Sequence, residues 1–236
     1  MIKDKNLNID YKKHYIYSKQ CKEKVYEYVK KHYENDYDKK FEEVQLKFVE
    51  FLKDVPPIGG SKNFHNKGVA ANMDCFFLMA YYTVCKYHIS VKEIDEIEEE
   101  LFLPTFARLA KLKFINANKE IIKKLIYKRF ITVERESNKY GDYIMHLDKY
   151  EKEKPLHYYF STCVVSEFAS NHGIKEIMPA MCNPDFRAME ALHAKLIRSK
   201  TLAFSDICDY YIVGDEDEFV KLHPEYINGD GFKVNE

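Results

Sequence analysis

The stretch that decides how this chain is organised covers residues 178–213 and reads MPAMCNPDFRAMEALHAKLIRSKTLAFSDICDYYIV. It contains two thiols that are each followed closely by a carboxylate, Cys182 by Asp185 and Cys208 by Asp209. Because a carboxylate can take a proton from a thiol or from water, both pairs are candidates for the catalytic groups of an enzyme. The alternative is that both cysteines are small apolar side chains of a buried core.

An arginine and a threonine lie between the two pairs. Residues 194–203 and 207–213 are predicted to be two strands joined by a tight loop over 204–206. Arg198 then lies within a strand and is the candidate for binding a ligand carboxylate, because its planar donors can form two parallel hydrogen bonds. The alternative is a structural ion pair. Thr201 is a second candidate ligand-binding residue, because its hydroxyl would lie on one surface with Asp209 across the hairpin.

The chain before residue 141 has apolar residues at helical spacing. Ser90 and Glu93 form a capping box that begins one helix, and Pro104 is expected to end it. We interpret the acidic run 96–100 on this helix as a solvated face. The other predicted helices cover residues 12–33, a segment that carries Phe41, Val44, Phe48 and Leu52, residues 68–88 and residues 119–130.

The pattern changes near Gly141, where apolar and polar residues begin to alternate over 143–148 as in a strand. Residues 157–172 are predicted to be a helix, which puts Cys163 in its middle as a packing residue. We therefore predict an α+β fold, in which a helical N-terminal half packs against a small antiparallel β-sheet with helices in the C-terminal half. The predicted regions are a helical region (1–140), an α+β region that carries the Cys/Asp/Arg site (141–214) and an acidic C-terminal tail (215–236).

A glycine pair precedes the long helix over 68–88. Gly59 and Gly60, followed by Asn63, allow positive φ angles and a close approach of backbone to a ligand. The alternative is a turn between two helices.

Composition limits the partners and the compartment. The chain has 37 basic and 38 acidic residues, so no overall field favours nucleic acid or an anionic membrane. A charged N-terminus without an apolar run predicts no signal peptide, and hence a cytoplasmic protein with reduced thiols. The six cysteines form no CxxC pairs, so we expect neither a metal nor a cofactor, although convergence of Cys163, Cys182 and Cys208 on a metal stays open. The expected partner is a small-molecule substrate, and homo-oligomers are compatible with the sequence. The abundance of Lys, Ile, Asn and Tyr is typical of an AT-rich bacterial genome.

Three motifs in the C-terminal half resemble the signature of the L-2-amino-thiazoline-4-carboxylic acid hydrolase family. They are C-x-x-D at 182–185, R-x-x-T-L-A at 198–203 and C-D-aromatic at 208–210. The Gly-Gly pair at 59–60 with Asn63 also resembles the family. One departure is Ser205, which stands at or next to the glycine that the family usually has before its last cysteine.

The resemblance implies hydrolytic opening of a thiazoline ring to an N-carbamoyl cysteine. The ring carbon between nitrogen and sulfur is an electrophile that a thiolate of Cys182 or Cys208 could attack, or water deprotonated by Asp185 or Asp209. Arg198, Thr201 and the backbone around Gly59 and Gly60 would bind the substrate. The alternative is a non-catalytic, small-molecule or metal-binding thiol module, similar in outline to domains related to 4-vinyl reductase.

Overall fold

The computed structural model describes residues 17–55, 58, 67–111, 115–139, 141 and 143–235. Over these residues the helices are α1 (Lys19–Tyr33), α2 (Tyr37–Phe51), α3 (Lys67–Cys85), α4 (Val91–Ala110), α5 (Glu120–Asn138), α6 (Val164–Asn171), α7 (Met178–Cys182), α8 (Pro184–Glu190) and α9 (Glu218–Leu222). The strands are β1 (Tyr143–Leu147), β2 (Leu156–Cys163), β3 (Ala194–Ile197), β4 (Cys208–Gly214), β5 (Glu225–Ile227) and β6 (Lys233–Asn235). A 3-10 turn over Lys175–Ile177 leads into α7. The predicted α+β class is confirmed.

A largely apolar helix, α3, is the centre of the N-terminal half. Residues 76–82 are all buried, because α1, α2, α4 and α6 pack around this helix. A helix that is apolar on every side needs such partners. From α2, Phe41 and Phe48 contribute to the same core, and the ring of Phe48 meets that of Phe77 edge-on at 5.5 Å. Within the described residues, none of the helices has the length and apolar character that crossing a bilayer requires.

The main sheet has four antiparallel strands in the order β1-β2-β4-β3. Side chains alternate between its two faces. On one face Tyr158 of β2 stacks on Tyr210 of β4 at 4.9 Å, and Phe186 of α8 belongs to the same core. On the other face His157 stacks on Tyr211 at 4.2 Å. The first face therefore holds the second core, between the sheet and helices α5 and α8.

The predicted helix over 157–172 is wrong in its first half. Residues 156–163 form β2, which pairs with β1 on one side and β4 on the other. Leu156 and Tyr158 are buried while His157 and Tyr159 are only partly buried, which is the period of a strand. Pairing with two neighbours decides the conformation here, because strand preference depends on tertiary context. The helix begins only at Val164, so Cys163 lies at a strand-to-helix junction.

Two helix ends also differ from the prediction. α4 continues through Pro104 to Ala110 rather than ending there. Proline inside a helix removes one hydrogen bond and costs about 3 kcal/mol, so packing of α4 against α7 and α8 outweighs that penalty. α5 runs on to Asn138, where the Asn138 amide bonds the backbone of Met145 in β1 and ties the helix to the sheet.

The predicted strand over 194–203 ends at Ile197, and the loop to β4 is longer than expected. The chain leaves the sheet because the Asp209 carboxylate binds the backbone N–H groups of Ser199 and Lys200. Beyond β4, residues 215–235 form α9 and a hairpin of β5 and β6. This hairpin packs against Arg198, so the C-terminal segment is part of the fold.

Candidate active site

Two short helices position the first thiol and carboxylate. α7 ends at Cys182, and α8 begins at Pro184, with Asn183 between them. Proline at the first helical position is preorganised for a helix start, so the junction follows from the sequence. Asp185 lies in the first turn of α8, where backbone N–H groups favour a negative charge. The spacing C-x-x-D thus reflects the end of one helix and the start of the next.

The guanidinium of Arg198 is enclosed behind this junction. The residue has 0% of its surface exposed. Its Nη1 donates to the carbonyl oxygen of Cys182 at 2.9 Å, and its Nη2 to that of Lys233 at 2.9 Å. The guanidinium carbon lies 4.9 Å from the centre of the Phe186 ring. Arg198 is therefore bound inside the protein, which differs from the expected open clamp for a ligand carboxylate.

Asp185 lies between this cation and a tyrosine. Its Oδ2 is 3.7 Å from Nη1 of Arg198 and accepts a hydrogen bond of 3.2 Å from the Tyr210 hydroxyl. Burial raises the pKa of Asp185, while Arg198 and Tyr210 oppose that rise. Nevertheless 43% of the side-chain surface is accessible. We call the surroundings of Asp185, formed by the end of α7, the start of α8 and the sheet face that carries Tyr210, the recess.

Cys182 and Cys208 lie on the same side of the sheet as Asp185. The Cys208 thiol accepts a 3.0 Å hydrogen bond from the backbone N–H of Leu202. Burial raises the pKa of both thiols, that of Cys182 well above its usual value, and the charge of Arg198 opposes the rise in each. The negative charges of Cys208 and Asp185 add to the rise in the pKa of Cys182, and that of Asp185 adds to the rise in the pKa of Cys208. The structure thus brings Cys182, Asp185, Arg198 and Cys208 together.

Asp209 and Thr201 are placed differently. Asp209 alternates with Cys208 and Tyr210 along β4, so its side chain lies on the opposite face of the sheet. Its carboxylate accepts from the backbone of Ser199 and Lys200 and, at 2.9 Å, from the Ser199 hydroxyl. Thr201 is buried, and its hydroxyl accepts from the backbone N–H of Ala203 at 3.3 Å. Both shape the loop after β3 and neither is brought to the recess.

The remaining sequence features of the site have simple outcomes. Gly59, Gly60 and Asn63 lie outside the described residues. Position 205 does not need a glycine, because Ser205 is not among the described residues that have a positive φ angle. Its N–H donates to the carbonyl of Thr201 at 2.8 Å and closes an ordinary turn. The departure from the family pattern is therefore accommodated by the backbone as it stands.

Cys163 is a thiol whose position the sequence analysis misplaced. It ends β2 and takes the N-cap position of α6. Burial raises its pKa to about 12, while the backbone N–H groups of Ser166 and Val165 act in the opposite direction. With Leu202 it borders an open cleft of about 140 Å³, whose other lining residues are Ser166, Glu167, Ser170 and Lys175. Leu202, whose backbone N–H donates to the Cys208 thiol, lines the same cleft, so Cys163 lies on the side of the recess that carries Cys208.

Two carboxyl groups of the helical half were missed as site candidates. Asp74 of α3 accepts hydrogen bonds from the backbone and hydroxyl of Ser18, and burial raises its pKa to about 6. Glu98 of α4 was interpreted as part of a solvated acidic run. It lies four residues after the buried Ile94, on the inner side of the helix. That spacing is the sequence signal that distinguishes Glu98 from its exposed neighbours Glu96 and Glu100.

Other parts of the described surface offer less chemistry. A cleft of about 470 Å³ is lined by residues that include Asp54, Glu167 and His172, and a cleft of about 340 Å³ lies beside His157 and Tyr211. Neither contains a thiol. Among the described residues, no group of three or more His, Cys, Asp or Glu side chains is arranged to hold a metal ion. The recess is therefore the best candidate for an active site.

These features define a protein with thiols and carboxyl groups gathered in a desolvated recess between a helical layer and a small sheet. The model of the family described as L-2-amino-thiazoline-4-carboxylic acid hydrolase matches residues 77–212, which is more than half of the chain. The chain belongs to that family. The matched part includes Glu98, Cys163, Cys182, Asp185 and Cys208. No curated protein and no solved structure matches the chain.

Proposed function

We propose that this protein opens a small heterocycle that carries a carboxylate by adding water across its C=N bond, with L-2-amino-thiazoline-4-carboxylate as the first candidate substrate. The product would be an N-carbamoyl cysteine. The observation that carries the proposal is the convergence of Asp185 with Cys182 and Cys208 in one desolvated recess. Membership of the family supports the choice of substrate.

Asp185 is the residue to which we assign the role of general base. Its raised pKa makes it a stronger base than an ordinary aspartate, and part of its surface is accessible to water. Arg198 and Tyr210 hold Oδ2, which leaves Oδ1 to accept the proton of an attacking water. Both groups are positioning residues in this scheme, because they act through Asp185.

The thiols are assigned to the wall of the recess rather than to covalent attack. A thiolate is the nucleophilic form of cysteine, and burial raises the pKa of both Cys182 and Cys208, so little thiolate exists near neutral pH. Polarisable sulfur atoms suit contacts with a sulfur-containing ring. We therefore propose attack by water on the ring carbon, followed by cleavage of the carbon–sulfur bond.

The test is to incubate the purified protein with the thiazoline and to quantify N-carbamoyl cysteine by mass spectrometry. Water attack predicts that Asp185→Asn lowers turnover by about 10²-fold or more. Cys182→Ser and Cys208→Ser would each retain part of the activity. The matched control is Asp206→Asn, which changes an exposed carboxylate in the loop before β4. Loss of nearly all turnover in one cysteine variant would instead indicate covalent catalysis. An inactive wild-type protein with stoichiometric bound metal would favour the binding-module alternative.

A further inference from the structure

We propose that Glu98 is the second catalytic carboxyl group of this reaction, the general acid that protonates the sulfur as the ring opens. The inference rests on the proposed function and adds to it a residue that lies outside the three C-terminal motifs.

Packing brings Glu98 toward the residues of the recess. α4 contacts both α7, which ends at Cys182, and α8, which carries Asp185. The Oε2 atom of Glu98 is buried and has no hydrogen-bond partner among the described residues. On the same helix, Glu100 is exposed and pairs with Lys24 at 2.9 Å. A buried carboxylate without a partner is costly, so Glu98 is best accommodated as the neutral acid.

The surroundings of Glu98 are acidic. Burial raises its pKa to about 8, and the charges of Asp74, Asp185 and Asp95 act in the same direction. The cation Arg187 of α8 acts on Asp95. Among the described residues, the titratable groups that interact with Glu98 include Cys21 of α1, Asp74 and Cys75 of α3, Asp185 of α8 and Asp95 of its own helix.

The partners of Asp185 and Glu98 differ in a way that suits Asp185 to act as the base and Glu98 as the acid. Asp185 has a cation and a hydroxyl donor that stabilise its charged form. Glu98 has neither at Oε2. Burial raises the pKa of both carboxyl groups, but only Asp185 has partners that oppose the rise, and this difference suits the two groups to opposite roles. Asp74 is less suited to the acid role, because Ser18 donates two hydrogen bonds to its carboxylate.

The proton transfers balance as follows. Water attacks the ring carbon and forms a carbon–oxygen bond, while Asp185 takes one water proton and passes it to the ring nitrogen. The carbon–sulfur bond then breaks, and its electron pair stays on sulfur, which takes the proton of Glu98. The hydroxyl group loses its proton to Glu98 as the carbonyl forms. Both carboxyl groups end as they began, and one water is consumed.

The kinetic test compares Glu98→Gln with Glu98→Asp and with Glu96→Gln, an exposed control on the same helix. We expect Glu98→Gln to lower kcat by about 10²-fold or more with little change in KM. The wild-type kcat should fall as pH rises through about 8, and this alkaline limb should be absent in Glu98→Gln. Glu98→Asp should restore part of the rate. If the wild type is active and Glu98→Gln has the same rate and pH profile, the inference is overturned and the proposed function remains intact.

A second readout needs no substrate. The pKa of Glu98 is about 8 in the folded protein, above the ordinary value of 4.5. Between these two pH values the native protein therefore keeps a proton on Glu98 that the unfolded chain has lost. Raising the pH across that window should therefore destabilise the wild type relative to Glu98→Gln. Urea midpoints at pH 5 and pH 8.5 measure the difference between the two proteins. If the stability difference between the two proteins is the same at both pH values, the inference is overturned whether or not the thiazoline is turned over. If the difference changes with pH but the wild type is inactive, only the proposed substrate is rejected.

Discussion

Arg198 donates a 2.9 Å hydrogen bond from Nη1 to the carbonyl oxygen of Cys182. This contact joins the end of β3 to the end of α7, so the arginine fixes the backbone from which the thiol projects. The same nitrogen is 3.7 Å from Asp185. One buried cation therefore positions both members of the C-x-x-D motif, although its sequence pattern suggested a ligand clamp.

Removing this cation should destabilise the whole protein. In Arg198→Met the carbonyl groups of Cys182 and Lys233 lose their donors, and Asp185 loses its charge partner. We expect a loss of about 3–5 kcal/mol in the free energy of unfolding, as for other buried ion pairs from which one partner is removed. Urea denaturation followed by circular dichroism measures it. Arg135→Met, whose side chain is 71% accessible in its pair with Glu136, should change stability by less than about 0.5 kcal/mol. Equal effects of the two substitutions would contradict the assigned role of Arg198.

The C-terminal hairpin should matter for the site as well as for stability. Asn235 accepts from the Arg198 backbone N–H at 3.0 Å through its side chain and donates to the Arg198 carbonyl at 2.9 Å through its own backbone. Asn235→Ala leaves that buried N–H unpaired, so we expect a loss of about 1–3 kcal/mol. We also expect lower turnover of the thiazoline. Asn171→Ala, at an exposed position near the end of α6, is the comparison, and equal effects would argue against a role of the hairpin.

Asp209→Asn should separate positioning from catalysis. The substitution weakens the bonds to Ser199 and Lys200 but leaves the recess face of β4 unchanged. We expect a loss of about 1–2 kcal/mol in stability and a turnover that stays within about tenfold of wild type. Asp185→Asn should lose far more activity. A steady-state comparison of the two variants across pH 5–9 decides the matter, since a missing acidic limb in Asp209→Asn would identify it as the base instead.

The thiols should differ in reactivity toward alkylating reagents. Cys163 borders an open cleft, whereas Cys21 and Cys208 are buried. We expect iodoacetamide to modify Cys163 first in the native protein, with a rate that still rises with pH above neutrality because its pKa is raised to about 12. Peptide mass spectrometry over time reads this order. Faster labelling of Cys208 would show that the loop over 199–207 opens readily.

The helical half was largely predictable because its signal is local. Apolar spacing located α1 to α3, and the capping box located the start of α4. The failures came where distant pairing decided the outcome. β2 carries residues that also fit a helix, and β4, one of its two neighbours in the sheet, is far away in sequence. Pro104 stayed inside α4 because packing against α7 and α8 offsets a local cost that the sequence shows plainly.

The sequence by itself determined which chemical groups the site contains: the thiols and carboxylates of the C-terminal motifs and the arginine between them. Only the tertiary structure decided what each group does. Alternation along β4 turned Asp209 away from Cys208, and closure of the hairpin enclosed Arg198. Packing of α4 on α7 and α8 brought Glu98 into the same surroundings from more than 80 residues away in the chain. Burial and charge act through space, so the pKa of a carboxyl group depends on neighbours that a linear pattern does not contain.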